Sequence, residues 1–291
     1  MRIQSPAKIN LFLQITGKRA DGYHLIRTLM CPIDLHDTLH LTLGAPGIRV
    51  RCPVPEIPED EKNLAGMAAR RFYDALAAIG KPHSPSVEIR IDKRIPMAGG
   101  LGGGSGNAAS VLLALNEIYN FAFSLPQLLD IGAQIGADVP FFILGKPALG
   151  FGIGTDLVPY SLKQRYAVLL VNPGFYVPTA RVYGAFKLGL TKCEEKLKNF
   201  FFESPHDGDF DPISHLCNDL EVVTEAMHPE IREIKSLLLA TGALGALMSG
   251  SGPTVFGLFE NKESAETAQD ELIRHGGINR GWRLIVSETL T

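Results

Sequence analysis

Alternating apolar and polar residues near the N-terminus predict a β-strand. In this segment the odd-numbered positions are mostly apolar and many of the even-numbered positions are polar. The apolar set is Ile3, Ala7, Ile9, Leu11, Leu13 and Ile15, and the polar set is Arg2, Gln4, Lys8, Asn10 and Gln14. A side-chain period of two is typical of a strand buried on one face. Lys8 and Asn10 therefore share the face directed away from the core. Similar patterns predict strands over 38–43, 87–95, 166–174 and 282–290.

Helical spacing of apolar residues alternates with these strands. We predict helices over 61–79, 108–119, 124–136, 179–188, 229–241 and 264–276, and a hairpin around Gly250–Pro253. This order indicates an α+β protein whose second half is an α/β sandwich of ferredoxin-like type, with a domain boundary near 155–165. The polar, turn-rich segment 203–212 is predicted to be a surface loop.

A glycine-rich segment joins the strand at 87–95 to the helix at 108–119. It reads IPMAGGLGGGSGNAAS over residues 95–110, and six of the eight positions from Gly99 to Gly106 are glycine. Backbone amides and the dipole at a helix N-terminus favour an anion, and glycine lets a phosphate approach the chain closely. We interpret the segment as a phosphate-binding loop, with Ser105 or Asn107 as helix N-cap. The alternative is a flexible connector.

Other phosphate motifs fit less well. The Walker sequence GxxxxGK[ST] is absent, since Gly80–Lys81 and Gly145–Lys146 are each followed by proline. The HRD and DFG motifs of protein kinases are absent as well. A dinucleotide interpretation of residues 104–109 lacks the acidic strand end about 20 residues further on.

Composition narrows the class of protein and its partners. The chain has 291 residues, of which 45% are apolar and 20% charged, and its net charge is −3. This balance gives no reason to expect a nucleic-acid or membrane partner. The four cysteines form no CxxC pair, and we expect free thiols in a reducing compartment. Because we find neither a signal peptide nor a membrane-length apolar run, we expect a soluble, cytoplasmic protein.

The glycine segment resembles the phosphate loop of the GHMP kinase superfamily, which includes galactokinase, homoserine kinase and mevalonate kinase. PAKINLFL near the N-terminus and SGSGPTVFGLF near the C-terminus follow the order of that superfamily. Within it, the segments PAKINLFLQITGKRADGYHLIRT, IDKRIPMAGGLGGGSGNAA, IGADVPFFILG and VPTARVY resemble the 4-diphosphocytidyl-2-C-methyl-D-erythritol kinases. One departure is Gly106, where members of that family often carry serine.

The resemblance implies a two-domain GHMP kinase fold. It places an N-terminal domain over 1–158, with an unusual left-handed βαβ crossover and the phosphate-binding loop. A C-terminal domain over 159–291 completes the fold.

The same resemblance implies two catalytic residues and a set of ATP-binding residues. Asp138 would accept or orient the proton of the substrate hydroxyl, and Lys8 would stabilise the charge in transit. From pattern alone, Asp138 is a helix cap and Lys8 a solvated strand residue. The implied ATP-binding residues are Asn63, Lys93, Pro96, Met97, Ala98, Gly99, Gly100, Leu101, Gly102, Gly103, Gly104, Ser105 and Asn107.

The implied substrate-binding residues are Asn10, Tyr23, His24, Thr179 and Tyr183. In the family, the histidine reads the cytosine base and the aromatic residue stacks on the cytidine. The alternatives are a solvated histidine, an aromatic residue in the core of a helix, and a threonine N-cap.

The resemblance implies ATP-dependent phosphorylation of the 2-hydroxyl of 4-diphosphocytidyl-2-C-methyl-D-erythritol, in non-mevalonate isoprenoid biosynthesis. ATP would be the phosphoryl donor, with Mg²⁺ held mainly by its phosphates and no dedicated protein metal site. The protein would be a monomer or a homodimer. The alternatives are another GHMP kinase, acting on homoserine or mevalonate, and a family member that binds nucleotide without catalysis.

Overall fold

A computed structural model describes residues 1–44, 46–55, 57–59, 62–81, 85–189, 191, 193–202, 210–274 and 280–291. The chain forms two compact units. The first unit contains Met1–Ala7, Leu35–Ile95 and Gly102–Gly145, and the second contains Lys8–Asp34, Pro96–Leu101 and Lys146–Thr291. The domains predicted at 1–158 and 159–291 remain a prediction.

Strands and helices alternate through both units. The strands are β1 (Arg2–Lys18), β2 (His24–Leu43), β3 (Gly47–Arg51), β4 (Ser86–Asp92), β5 (Ala148–Phe151), β6 (Asp156–Pro159), β7 (Ala167–Asn172), β8 (Cys217–Asn218), β9 (Gly245–Met248), β10 (Val255–Phe259) and β11 (Arg283–Glu288). The helices are α1 (Leu64–Ala78), α2 (Gly103–Ile118), α3 (Leu125–Ala133), α4 (Val139–Leu144), α5 (Thr179–Ala185), α6 (Cys193–Phe202), α7 (Pro212–His215), α8 (Glu221–Met227), α9 (Glu230–Ala240) and α10 (Lys262–Arg274).

In the first unit, helices α1 to α4 form the core with β3, β4 and the end of β2. Strand β4 pairs with β3 in parallel and with β2 antiparallel, where Leu39 lies opposite Ile91. Helix α1 buries small residues and packs against α2. Phe72 of α1 makes an edge-to-face contact with Phe123, with ring centroids 5.3 Å apart, which closes this core.

The second unit contains an antiparallel sheet with the order β11-β7-β10-β9. With α9 following β7 in the chain and α10 following β10, this is the ferredoxin-like arrangement predicted for the C-terminal half. Its apolar core includes Leu169, Ile234 and Leu272, each at most 1% exposed. The predicted hairpin around Gly250–Pro253 is confirmed by the pairing of β9 with β10. None of the helices in the described part of the chain is long and apolar enough to cross a membrane.

Strand β1 differs from the prediction in its burial. The polar face was expected to point away from the core, but Lys8, Asn10 and Gln14 are 4%, 3% and 8% exposed. Residues Ala7–Ile15 are all buried. Alternation predicted the strand correctly and its solvated face wrongly, because Lys8 and Asn10 find hydrogen-bonding partners inside the protein.

Two further expectations need correction. Helix α2 begins at Gly103 with Gly102 as N-cap in the left-handed conformation, so neither Ser105 nor Asn107 caps it. Cys193 and Cys217, expected to be free thiols, form a disulfide with their Cα atoms 5.5 Å apart. Asp219, the residue after β8, accepts a hydrogen bond from the Cys193 amide at 3.1 Å, which links the start of α6 to the end of β8.

Two further predictions concern the other two cysteines and the loop at 203–212. Cys31 and Cys52 are free and buried. Of the loop predicted at 203–212, residues 203–209 lie outside the described residues, and Pro212 begins α7.

Candidate active site

In the second unit, the glycine segment is held by the turn between β9 and β10. The Ser249 hydroxyl donates to the Gly100 carbonyl at 2.9 Å, and the Thr254 amide donates to the Gly99 carbonyl at 3.3 Å. Gly100 has a φ of +75°, and a Cβ there would overlap the Ser249 carbonyl oxygen. Glycine is therefore required at 100 both by conformation and by space.

In the first unit, the segment continues as the N-terminus of α2. The first hydrogen bond of the helix runs from the Gly106 amide to the Gly102 carbonyl at 2.9 Å, so the amides of Gly103, Gly104 and Ser105 precede it. Such amides, with the positive end of the helix dipole, suit an anion. A Cβ at Gly106 would lie 2.7 Å from the Pro6 carbonyl oxygen. A side chain at 106 would therefore require the backbone at Pro6 to move.

A buried ion pair stands beside this helix start. Lys93 pairs with Asp37, whose side chains are 8% and 0% exposed. Asp37 also accepts from the amides of Arg94 and Ile95 at 2.8 and 2.9 Å. The Lys93 Nζ lies 3.1 Å from the position a Cβ would take at Gly103. The structure thus places Lys93 next to the glycine segment and adds Asp37, which sequence reasoning missed.

Asn63 caps helix α1 and hydrogen-bonds Pro58, which lines a cavity in the same unit. Its side chain accepts from the Ala65 amide at 2.9 Å and donates to the Pro58 carbonyl at 2.8 Å. The cavity has a volume of about 470 Å³ and is lined by Cys52, Pro53, Val54, Pro55, Ile57, Pro58 and Glu59. Burial raises the pKa of the Cys52 thiol, which favours its neutral form in this lining.

Asp138 occupies the N-cap position of the short helix α4. Its backbone has φ −83° and ψ −12°, and its side chain makes no capping hydrogen bond. Capping therefore does not account for this carboxylate, which is only partly buried.

Lys8 lies in the second unit beside Asn10. Its Nζ donates to Asn10 Oδ1 at 2.6 Å, and Asn10 Nδ2 donates to Thr28 Oγ1 at 2.9 Å. The backbone amide of Lys8 donates to the Leu101 carbonyl at 2.9 Å, which ties β1 to the glycine segment of the same unit.

His24 and Tyr183, which are far apart in the sequence, meet in the second unit. Their ring centroids are 5.4 Å apart, and Phe186 lies 6.4 Å from the His24 ring. Burial, with a smaller contribution from the Lys18 charge, lowers the pKa of His24 below 6.5, which keeps the imidazole neutral near pH 7. Tyr23 is 63% exposed.

Thr179 is the first residue of α5 and follows Pro178, which holds the N-cap position. The threonine is therefore not the N-cap that pattern alone suggested. Its hydroxyl hydrogen-bonds the Ser251 hydroxyl at 2.8 Å.

Within each unit, several of the predicted residues come together. The first unit brings Lys93 beside Gly103, and the second brings Lys8 beside Asn10 and His24 beside Tyr183. The residues missed by sequence reasoning are Thr28, Asp37 and Phe186. Each acts through a partner distant in the sequence, and no spacing within the chain signals such a contact.

Comparison with known proteins agrees with the resemblance to GHMP kinases that the glycine segment indicated. Residues 63–146 match the family model described as GHMP kinases N terminal domain, and residues 197–278 match GHMP kinases C terminal. The chain is 44% identical over 278 residues to 4-diphosphocytidyl-2-C-methyl-D-erythritol kinase of Syntrophus aciditrophicus (strain SB), covering 95% of this chain and 96% of that protein. The chain belongs to the 4-diphosphocytidyl-2-C-methyl-D-erythritol kinase family of GHMP kinases.

Solved structures agree with this membership of the GHMP kinases. A crystal structure of 4-(cytidine 5'-diphospho)-2C-methyl-D-erythritol kinase superposes with a TM-score of 0.79 at 33% identity, with both chains fully covered. A homoserine kinase from Cytophaga hutchinsonii has a TM-score of 0.70 at 18% identity, covering 100% of this chain and 94% of that one. The latter likeness shows the fold alone, and both confirm the predicted α+β GHMP kinase fold.

Proposed function

We propose that this protein transfers the γ-phosphoryl group of ATP to the 2-hydroxyl of 4-diphosphocytidyl-2-C-methyl-D-erythritol, a step of non-mevalonate isoprenoid biosynthesis. The 44% identical relative carries that kinase name. The observation that carries the choice of substrate is the contact between His24 and Tyr183, whose ring centroids are 5.4 Å apart. A histidine beside an aromatic ring suits a nucleobase, which stacks on one and hydrogen-bonds the other.

Base recognition is the proposed role of the groups around His24. A neutral imidazole offers one donor and one acceptor, and a cytosine edge presents both kinds of group. Tyr183 would stack on the base, and Tyr23, which is exposed, would close over it. Asn10 and Thr179 would bind the remainder of the substrate through their amide and hydroxyl groups.

Nucleotide binding is the proposed role of the glycine segment. The amides at the start of α2 would bind the phosphates. Lys93 would add positive charge beside Gly103, since its Nζ lies 3.1 Å from the Cβ position there. The cavity lined by residues 52–55 and 57–59 would take the adenine ring, and Asn63 hydrogen-bonds this lining at Pro58.

Phosphoryl transfer asks the protein for positioning and for charge stabilisation rather than covalent chemistry. Asp138 would orient the attacking hydroxyl and accept its proton, the role that the resemblance to the family implies for it. Lys8 would stabilise the negative charge that passes from the leaving to the attacking oxygen.

Mg²⁺ would neutralise phosphate charge during the transfer. We propose that this ion is held mainly by the phosphates of the nucleotide. We expect the enzyme to act in the cytoplasm, where ATP is supplied, as a monomer or homodimer.

A substrate panel tests this proposal. The purified protein is incubated with ATP, Mg²⁺ and, separately, 4-diphosphocytidyl-2-C-methyl-D-erythritol, homoserine or mevalonate, and ADP formation is followed. We expect turnover with the cytidine substrate alone, because homoserine and mevalonate have no base for His24 and Tyr183. Turnover of either of those two would favour another GHMP kinase activity, and no turnover at all would favour a noncatalytic nucleotide-binding protein.

A further inference from the structure

A chain of buried hydrogen bonds in the second unit leads to Lys8. Thr28 Oγ1 donates to the Phe12 carbonyl at 2.6 Å, and Asn10 Nδ2 lies 2.9 Å from the same Oγ1. Asn10 Oδ1 in turn lies 2.6 Å from Lys8 Nζ. Lys8, Asn10, Phe12 and Thr28 are all at most 4% exposed, so bulk water does not compete for these groups.

The direction of each bond follows from the Phe12 carbonyl, which can only accept. The single hydrogen of the Thr28 hydroxyl goes to that carbonyl, so Thr28 Oγ1 must accept from Asn10. The Asn10 atom facing Thr28 is therefore the amide nitrogen, and the atom facing Lys8 is the oxygen. The two ends of an asparagine amide differ only by a rotation, and the bond to Thr28 adds to the preference that the Lys8 ammonium has for the oxygen end.

The wrong orientation of Asn10 would be unfavourable for Lys8. An exchanged amide would turn its NH₂ group towards the ammonium group, which is also only a donor. The Lys8 ammonium would then lose a charge-assisted hydrogen bond and meet the positive end of the amide dipole.

Thr28 has limited rotational freedom of its own. A β-branched side chain has few χ1 choices, and the Thr28 hydroxyl is directed towards β1 by its hydrogen bond to the Phe12 carbonyl. Opposite Thr28 in β5 lies Gly150, where a Cβ would approach the Thr28 Cγ2 methyl to 3.1 Å.

The main chain of Asn10 is fixed by a second hydroxyl. Its backbone amide donates to Ser249 Oγ at 3.4 Å, while the Ser249 hydroxyl donates to the Gly100 carbonyl at 2.9 Å. Asn10 is thus held at both its backbone and its side chain, and its Oδ1 provides a fixed acceptor for the Lys8 ammonium group.

We propose that Thr28 is a positioning residue that sets the orientation of the Asn10 amide and thereby the position of the Lys8 ammonium group. This inference rests on the proposed catalytic role of Lys8. It predicts that the Thr28 hydroxyl contributes to kcat although Thr28 is not among the residues proposed to bind substrate or nucleotide.

Three substitutions separate the hydroxyl from packing. Thr28→Ser keeps the hydroxyl and removes the methyl, Thr28→Ala removes both, and Thr28→Val removes the hydroxyl and excludes water. Serine and alanine differ only by the hydroxyl, so their comparison isolates the hydrogen bond. If the valine variant does not fold beside the Phe12 carbonyl, the alanine variant carries the test.

We expect Thr28→Ser to keep kcat within about threefold of wild type, and the hydroxyl-free variants to lose about 10- to 100-fold, as is usual for groups that orient a functional side chain. KM for ATP should stay within about twofold, because the change reaches Asn10 and Lys8 and not the residues proposed to bind ATP. A purely structural role would instead lower the melting temperature without this selective fall in kcat.

A second readout does not depend on activity. The side-chain ¹⁵N–¹H signals of Asn10, assigned by their loss in Asn10→Asp, should shift in Thr28→Ala and remain near the wild-type position in Thr28→Ser. Unchanged signals in Thr28→Ala would overturn the hydrogen-bond relay.

The outcomes distinguish this inference from the proposed function. A wild-type protein without kinase turnover overturns the proposed function and, with it, the role of Thr28. An active wild type matched in kcat by a folded, hydroxyl-free variant overturns the role of Thr28 alone.

Discussion

Two aspartates, Asp211 and Asp138, each occupy the N-cap position of a short helix, but only one of them makes capping hydrogen bonds with its side chain. Asp211 accepts from the amides of Ile213 and Ser214, each at 3.2 Å, at the start of α7. These bonds, and that of the Ser214 hydroxyl, lower the pKa of Asp211. Asp138 makes no such bond at the start of α4. Asp211 therefore has a structural role at its helix, and the proposed catalytic role of Asp138 has to be tested by substitution.

Asp138→Asn should lower kcat by about 10²- to 10⁴-fold, the usual range for losing a general base. The amide keeps the shape of the carboxylate but cannot accept the hydroxyl proton. KM for both substrates should change little, because the lost interaction belongs mainly to the transition state. Steady-state kinetics test this, and near-wild-type kcat would remove Asp138 from catalysis.

Asp211→Ala is the matched control for capping. It should lower the free energy of unfolding by about 0.5–2 kcal/mol, as for a lost N-cap, and leave kcat unchanged. Asp138→Asn should melt close to wild type. If Asp138→Asn instead unfolds while Asp211→Ala does not, the interpretation of Asp138 as a structural residue is correct.

At the scale of elements, the turn between β9 and β10 determines the shape of the glycine segment within the second unit. The Ser249 hydroxyl is anchored on Gly100, and Asn218 Nδ2 donates to the carbonyls of Met248 and Gly250 at 2.8 and 2.7 Å. The turn thus has its own support from β8. A phosphate-binding segment built this way depends on contacts far away in the sequence.

Gly100→Ala tests this dependence. Alanine at a φ of +75° costs about 1–2 kcal/mol, and its Cβ would also overlap the Ser249 carbonyl oxygen, so the backbone must move. A loss of 1.4 kcal/mol in binding weakens affinity tenfold, and we expect ATP affinity to fall by about that factor or more. Calorimetric titration with an ATP analogue measures it.

Gly242→Ala is the control for backbone strain alone. Gly242 has a φ of +92°, but a Cβ there meets nothing within 4 Å. Its cost in stability should therefore be that of the left-handed conformation, and its ATP affinity should equal that of wild type. Equal ATP affinity in both variants would show that the contact of Gly100 with Ser249 does not shape the nucleotide site.

Particular elements show how far the sequence alone could reach. Alternation predicted β1, and spacing predicted the helix after the glycine segment, because both are local periodicities. Neither could show that Lys8 and Asn10 are buried, since that depends on Thr28, a residue of the next strand. The N-cap was misassigned because a left-handed Gly102 caps through its backbone, whereas side-chain preferences point to Ser105 or Asn107.

The candidate site was predictable for a different reason. The roles proposed for Lys8, Asp138 and His24 came from resemblance between segments, and not from periodicity. The pairing of Asp37 with Lys93 had no signal, because their separation in the sequence matches no motif.

On the scale of the whole molecule, the protein must bind two anionic ligands with a net charge of −3. A general positive field therefore does not supply the affinity, and local groups have to do so. The proposal assigns the phosphates of ATP to the start of α2 and the cytosine base to His24. Because these two groups of residues are separate, a substitution in one group should abolish binding of one ligand and leave binding of the other unchanged.

Thermal unfolding with each ligand provides the test. A ligand at 100 times its Kd stabilises the native state by about 2.7 kcal/mol, and with about 2.1 cal/mol/K of unfolding entropy per residue this raises the Tm by about 4 °C. We expect such a rise with a non-hydrolysable ATP analogue and Mg²⁺, and a separate rise with the cytidine substrate.

Two variants should each abolish one of these shifts. Gly104 is exposed, and a Cβ there meets only Leu64 Cδ1 at 3.4 Å, whereas a Cβ at Gly103 would crowd Ile95 at 3.0 Å. Gly104→Val should therefore fold, obstruct the approach of a phosphate to the helix amides, and lose the ATP-analogue shift while keeping the substrate shift. His24→Ala should lose most of the substrate shift and keep that of the analogue, because one lost hydrogen bond and its ring contact cost about 0.5–3 kcal/mol. Loss of both shifts in either variant, with its unliganded Tm unchanged, would contradict the assignment of nucleotide and base to separate groups of residues.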